Sequence, residues 1–203
     1  EQGEQWLHDF PLFLGINKKN PPQIAIWLED TQGNYLSTVY VTHKIATQSW
    51  QASGGNRRKE ALPHWCYSRG VKYDDGLYLP TKKEPLIDGI SGATPHESFN
   101  IKLNPATALK KFVVKIEINH STDFNEAFPK SAKDGEANYS GGKEGSGQPA
   151  IVYAANVDLS SGEKSFEANL MGHSSPDGSS GEVNKDTSGL TTALHIVKRI
   201  TVI

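Results

Sequence analysis

Apolar and polar positions alternate with a period of two in several separate stretches. Over residues 23–29, Ile24, Ile26 and Leu28 fall on one side, and Ala25, Trp27 and Glu29 on the other. That is the signature of a strand. Asp30, Thr31, Gln32 and Gly33 form a turn, with glycine where a positive φ is expected. Residues 34–42, rich in Tyr, Val and Thr, supply the partner strand of a hairpin. Residues 44–50 continue as a third strand. A short helix capped by Asn56 is expected to end before Pro63. Residues 98–103 alternate through Phe99, Ile101 and Leu103. In residues 111–119, Phe112, Val114, Ile116 and Ile118 face one way, and Val113, Lys115, Glu117 and Asn119 the other. This predicts a half-buried strand of an antiparallel sheet. Residues 150–159 hold Ile151, Tyr153, Ala155, Val157 and Leu159 in phase. A turn leads from there to a hairpin partner over 164–171, and residues 190–203 form the last strand.

Strands joined by polar connections, with no long helical period, predict an all-β chain. The expected architecture is a single-domain, immunoglobulin-like antiparallel β-sandwich with long polar loops. Pro21 and Pro22 separate an N-terminal extension, residues 1–21, from a sandwich spanning 22–203; the extension packs on the domain or leads into it. Residues 121–148 and 172–188 are the long loops, and connections of such length commonly carry function.

Composition narrows the classes. The chain has 203 residues, enough for a substantial core without metals or disulfides. Its net charge of −2 comes from 21 basic and 23 acidic side chains, which points to no nucleic-acid partner. No transmembrane segment is expected, because no apolar run approaches the roughly 18 residues that a span requires. Cys66 is the only cysteine, so no internal disulfide forms. It reads as a small buried hydrophobe. The chain starts at Glu1 with no signal-like apolar segment, which fits a removed targeting segment or a trimmed chain.

The chemical candidates are few. Arg57, Arg58 and Lys59 lie close in sequence to Trp65 and Tyr67, a combination able to hold an anionic or planar ligand. Seven histidines are scattered without a zinc-type spacing. His120 and Asp123 are the closest pair that could share a metal or act as an oriented base. Neither a nucleophile elbow nor a phosphate-cradling loop is present. Asp88, Ser91, Gly92 and Thr94 surround a glycine-rich turn, Asp88-Gly-Ile-Ser-Gly-Ala-Thr94.

Several segments together resemble the DUF2271 family. They are Pro22-Gln-Ile-Ala-Ile-Trp-Leu-Glu-Asp30 with Gly33-Asn-Tyr-Leu36, the Asp88 turn, Val114-Lys-Ile-Glu-Ile-Asn119 with Asp123-Phe-Asn-Glu126, and Gly147-Gln-Pro149 with Tyr153. That family comprises uncharacterised bacterial proteins predicted to be exported, so the resemblance implies a periplasmic or cell-surface location. The Asp88 turn also resembles the attachment motif of covalent FMN-binding domains, Asp-x-x-Ser-Gly-Ala-Thr. In those domains the final threonine carries the flavin, which implies Thr94 here. Pro95, directly after Thr94, departs from the usual surroundings of that motif.

The leading expectation is an exported, non-catalytic sandwich that binds a cell-envelope protein or a small ligand and has no cofactor. Its end loops and the Arg57–Lys59 patch would form the contact surface. The alternatives are an FMN-bearing redox carrier built on Thr94 and a hydrolase using His120 and Asp123.

Overall fold

The computed structural model describes residues 1–11, 17–50, 57–86, 90–102 and 109–203. Its centre is the pair of stretches with the strongest alternation. Strand β3 (Gln23–Glu29) lies antiparallel to β6 (Lys111–Asn119), with Ile26 opposite Ile116. On one side β3 continues to β4 (Tyr35–Thr42), and β4 to the short parallel strand β5 (Ile90–Gly92). On the other side β6 pairs with β7 (Ile151–Asp158), β7 with β9 (Asn169–Ser174), and β9 with β10 (Val183–Asn184). The result is one seven-stranded sheet of order β10-β9-β7-β6-β3-β4-β5. Two small ribbons stand beside it: β1 (His8–Pro11) with β2 (Asn17–Asn20), and β8 (Phe166–Glu167) with β11 (Thr201–Val202).

The chain is all-β, with one large and mainly antiparallel sheet. Its two faces are covered by different layers. One face holds Ile24, Leu28, Phe112, Val114, Ile116 and Ile118, with Ile151 and Val157 from β7. It is covered by Trp6, Phe166 of β8, Leu190, Ala193 and Ile196. The other face carries Ala25, Trp27 and Val41, covered by helix α1 (His43–Thr47) and helix α2 (Pro63–Arg69) through Ile45, Ala46, Trp65 and Cys66.

Three expected strands are absent from their predicted places. Residues 43–47 are helical: Thr42 is extended at the N-cap, Gln48 is left-handed at the C-cap, and Ile45 and Ala46 turn inward. A buried pair two residues inside a five-residue helix mimics too little of either period to be told apart by alternation. Residues 98–102 contain no strand, although Phe99 and Ile101 still pack against the core; Leu103 lies outside the described residues. The final stretch is a 3-10 turn, Thr192–His195, and only Thr201–Val202 is extended. The predicted partner of β7 also divides. Phe166–Glu167 pairs with β11, while the segment beside β7 is β9. Pro63 begins a helix and does not end one, since proline lacks the N–H that the first helical position leaves unpaired. Asn56, the expected cap, lies outside the described residues.

The half-buried reading of β6 also changes. Lys115 is 8% exposed, Asn119 2% and Glu117 0%. The polar side of this strand is therefore interior, and every polar group there needs a partner.

Candidate functional site

The polar side of β6 is satisfied by tertiary contacts. The Glu117 carboxylate accepts the backbone N–H groups of His64, at 3.1 Å, and Trp65, at 2.8 Å, in the first turn of α2. It does the work of the missing side-chain cap. Burial lifts this carboxyl to about 7, against the lowering effect of those two hydrogen bonds. Trp65 donates its indole N–H to Thr38 Oγ1 at 3.0 Å, and Trp27 donates its own to Glu29 Oε1 at 2.8 Å. Lys115 Nζ stands 3.7 Å from Glu29 Oε2. Glu117 and Thr38 thereby hold α2 against the sheet, while Glu29 links β3 to β6 through Lys115.

The cationic patch is divided between interior and periphery. Arg58 is 5% exposed. Its guanidinium donates to Glu60 Oε1 at 2.7 Å, Ser121 Oγ at 2.6 Å and Ser146 Oγ at 2.9 Å, and lies 4.6 Å from the Trp50 ring centre. Trp65 has no exposed surface. Arg57 pairs with Asp75 and donates to the Leu79 carbonyl. Lys59 and Tyr67 are half-buried; Tyr67 stacks on Tyr78 at 4.4 Å and donates its hydroxyl to the Ser179 carbonyl. The five residues do not form one accessible face.

At the glycine-rich turn, Asp88 lies outside the described residues. Ser91 and Gly92 belong to β5, along the edge of the sheet beside Val41 and Thr42. Thr94 is buried, and its hydroxyl donates to the Pro22 carbonyl at 2.7 Å. A phosphoester on that oxygen requires this bond to break and the residue to become accessible.

His120 and Asp123 are both buried. Because a carbonyl only accepts, His120 Nε2 donates to Gln5 O at 2.8 Å, and burial holds the ring's pKa down to about 4. Asp123 accepts from Thr192 Oγ1 at 2.6 Å and Gln148 Nε2 at 2.9 Å, and burial raises its carboxyl. Among the described residues, the histidine beside that carboxylate is His8 of β1, with Nδ1 4.0 Å from Oδ1. The His8 and His120 rings lie 5.3 Å apart. Among the described residues, no three His, Cys, Asp or Glu side chains are placed to hold a metal ion.

The two long loops are folded inward. Gly147, with φ +78°, lies where a Cβ would come within 2.3 Å of the Asp123 carbonyl carbon. Gly178, with φ +69°, brings its loop against the Lys59 carbonyl in the same way. Only glycine combines that conformation with that approach. His64 Nδ1 donates to the Gly181 carbonyl at 2.7 Å and adds a second tie between α2 and this loop.

Where the loops meet they leave a cleft of about 660 Å³. Phe128 and Ala137 of the first loop form part of its wall, with His173, Ser174, Glu182, Asn184, Asp186, Ser188 and Leu190 from β9 onward. A larger space of about 760 Å³ lies on the apolar face, between Ile24, Ile26, Val39, Ile116 and Ile118 and the cover made by Trp6, Phe99, Ile101 and Val202. Its rim at Lys102 leads directly into residues 103–108, outside the described residues, whereas every wall of the loop cleft named above is described.

Comparison of the chain with protein-family models, with curated proteins and with solved structures gives no match in any of the three. Family membership, export and the flavin motif therefore rest on the short sequence resemblances alone. Among the described residues, no helix is long and apolar enough to cross a membrane.

His173, Glu182 and Asp186 carried no local signal. They are scattered among Ser, Gly and Asn, and they meet because β9 and β10 pair at Ser174 and Val183.

Proposed function

We propose that this chain is an exported binding domain of the bacterial cell envelope, without catalytic activity of its own, and that its ligand occupies the cleft between the two long loops. The observation that carries the reading is the cleft itself: about 660 Å³, concave, polar in part, and lined from both loops. A space of that size suits a small molecule or a side chain of a partner. The rest of both loops serves to position it. Export and the bacterial envelope come from the DUF2271 resemblance.

The test is a fragment library screened by ligand-observed NMR against wild type and Ser188→Trp, an exposed wall position where a bulky ring fills the mouth. Fragments that bind wild type and lose binding in the variant support the reading. Binding that Ser188→Trp leaves undiminished, or no binding at all, removes it. Fractionation of cells producing the full-length gene product tests export separately; retention in the cytoplasm would count against an envelope role.

A second reading is favoured by the 760 Å³ space on the apolar face, which suits an apolar molecule. Quenching of tryptophan fluorescence by a spin-labelled fatty acid, reduced in Ile116→Trp, would support it.

A further inference from the structure

We infer that the loop cleft selects an organic ammonium group. This inference rests on the binding reading above and names its ligand class. Three observations carry it. First, the charged side chains lining the cleft are Glu182 and Asp186, with no lysine or arginine among its lining residues. Second, His173 lines the same cleft and is 6% exposed. Its Nδ1 lies 2.8 Å from the Ser174 carbonyl, so Nδ1 carries the hydrogen. In the tautomer with its single hydrogen on Nδ1, Nε2 is an acceptor, and it makes no hydrogen bond among the described residues. Third, Phe128 and Leu190 supply apolar wall, and the Phe128 ring meets His173 edge-on with centroids 6.2 Å apart.

Three acceptors thus line the cleft, beside serine hydroxyls and the Asn184 amide, which both donate and accept. Two are anionic, and one belongs to a nearly buried imidazole that has lost access to water on most of its surface. An acceptor that faces the cleft is met by water in the free protein, and a ligand N–H takes that place. Asp186 is fixed by the Ser188 backbone N–H at 3.0 Å and by its own N–H on Asn184 Oδ1, also at 3.0 Å. Hydrogen bonds from Ser188 hold its carboxyl below the ordinary carboxylate value, so it stays anionic in the neutral range. An alkylammonium places N–H donors and positive charge among these groups and its carbon chain along Phe128 and Leu190. An anionic ligand meets the opposite field, and a neutral polyol gains no charge complementarity.

The chemistry is shared by a free amine and by a lysine side chain of a partner. Isothermal titration at pH 8 and low salt compares cadaverine, as a free diamine, with N-acetyl-lysine methylamide, as the side chain in peptide form. The neutral control is 1,5-pentanediol. We expect one or both amines to bind at least tenfold more tightly than the diol. Glu182→Gln and Asp186→Asn should each weaken that binding about tenfold, and added salt should weaken it further. Both carboxylates lie at partly or fully exposed positions, so neither change disturbs the core. Equal affinity for amine and diol overturns the ammonium assignment, as does amine binding that both variants leave unchanged. If library fragments occupy the cleft and depend on Ser188 while neither amine binds, the class is wrong and the binding reading stands. If nothing binds in a Ser188-dependent way, both fall.

Discussion

From Val114 to Asn119 both faces of strand β6 are buried, and they are held by different means. Phe112, Val114, Ile116 and Ile118 fill one side with apolar volume. Lys115, Glu117 and Asn119 fill the other with groups that must each be paired: Lys115 with Glu29, Glu117 with two N–H groups of α2, and Asn119 with Ser146 and the Gln148 carbonyl. Burial of apolar surface is favourable without regard to direction. Burial of polar groups is tolerated only in one geometry. The polar face therefore adds less stability per residue and more definition of where α2 and the two loops sit.

The largest effects should separate the two. On the polar face, Arg58→Ala strips the partner from buried Glu60 and from the hydroxyls of Ser121 and Ser146, at a cost of about 3–5 kcal/mol. On the apolar face, Ile118→Ala should cost about 2–4 kcal/mol, as a truncated core side chain does. Chemical denaturation measures both. The double change Arg58→Met with Glu60→Leu should recover most of the polar loss, because no charge is then left unpaired. No recovery would show that the network contributes stability in its own right.

A pH titration sharpens the contrast next. Glu117 rises from an ordinary 4.5 to about 7 in the folded protein. Its contribution to stability is thus full below pH 4.5 and is lost as the pH rises through about 7. His120 falls from 6.5 to about 4, so its contribution is full above pH 6.5 and is lost as the pH falls through about 4. Each is worth on the order of 3 kcal/mol across its window. Between pH 4.5 and 6.5 the two slopes oppose, with Asp123, also raised by burial, on the Glu117 side. Glu117→Gln removes this titration and keeps one acceptor for α2. Its Tm should climb with pH across that window more steeply than that of wild type. Matching profiles would mean that Glu117 does not titrate there.

The smallest effect lies at Thr94. Thr94→Val leaves the Pro22 carbonyl without its donor and should cost about 1 kcal/mol. The same hydrogen bond bears on the flavin motif. Protein made together with a flavin transferase should keep an unmodified intact mass, because the hydroxyl is buried and engaged. A mass increase of one FMN, absent in Thr94→Val, would overturn that expectation and restore the redox carrier.

The legibility of the chain follows the same division. The hairpin of β3 and β4, strand β6 and strand β7 could be read because period-two alternation is a local property and their apolar side does face the core. The helix at His43–Thr47 and the coil at residues 98–102 could not, since a few apolar residues satisfy either backbone when tertiary packing provides the burial. Alternation also misassigned the environment of Lys115, Glu117 and Asn119, because a polar residue looks the same in solvent and in a satisfied interior. Arg58 and Trp65 looked like a binding surface for the same reason.

By itself, the sequence determined that the chain is all-β, which stretches carry its central strands, which of their sides is apolar, and that two long polar connections interrupt them. Only the tertiary structure decided that the second side is buried, that Arg58 and Glu117 are internal fasteners, and that His173, Glu182 and Asp186 share a cleft. The physical reason is range. Periodicity reports a residue's relation to its neighbours two or four positions away, whereas the partners of these groups come from the far ends of the chain: Glu117 meets α2 across more than 50 residues, and Arg58 meets Ser146 across 88.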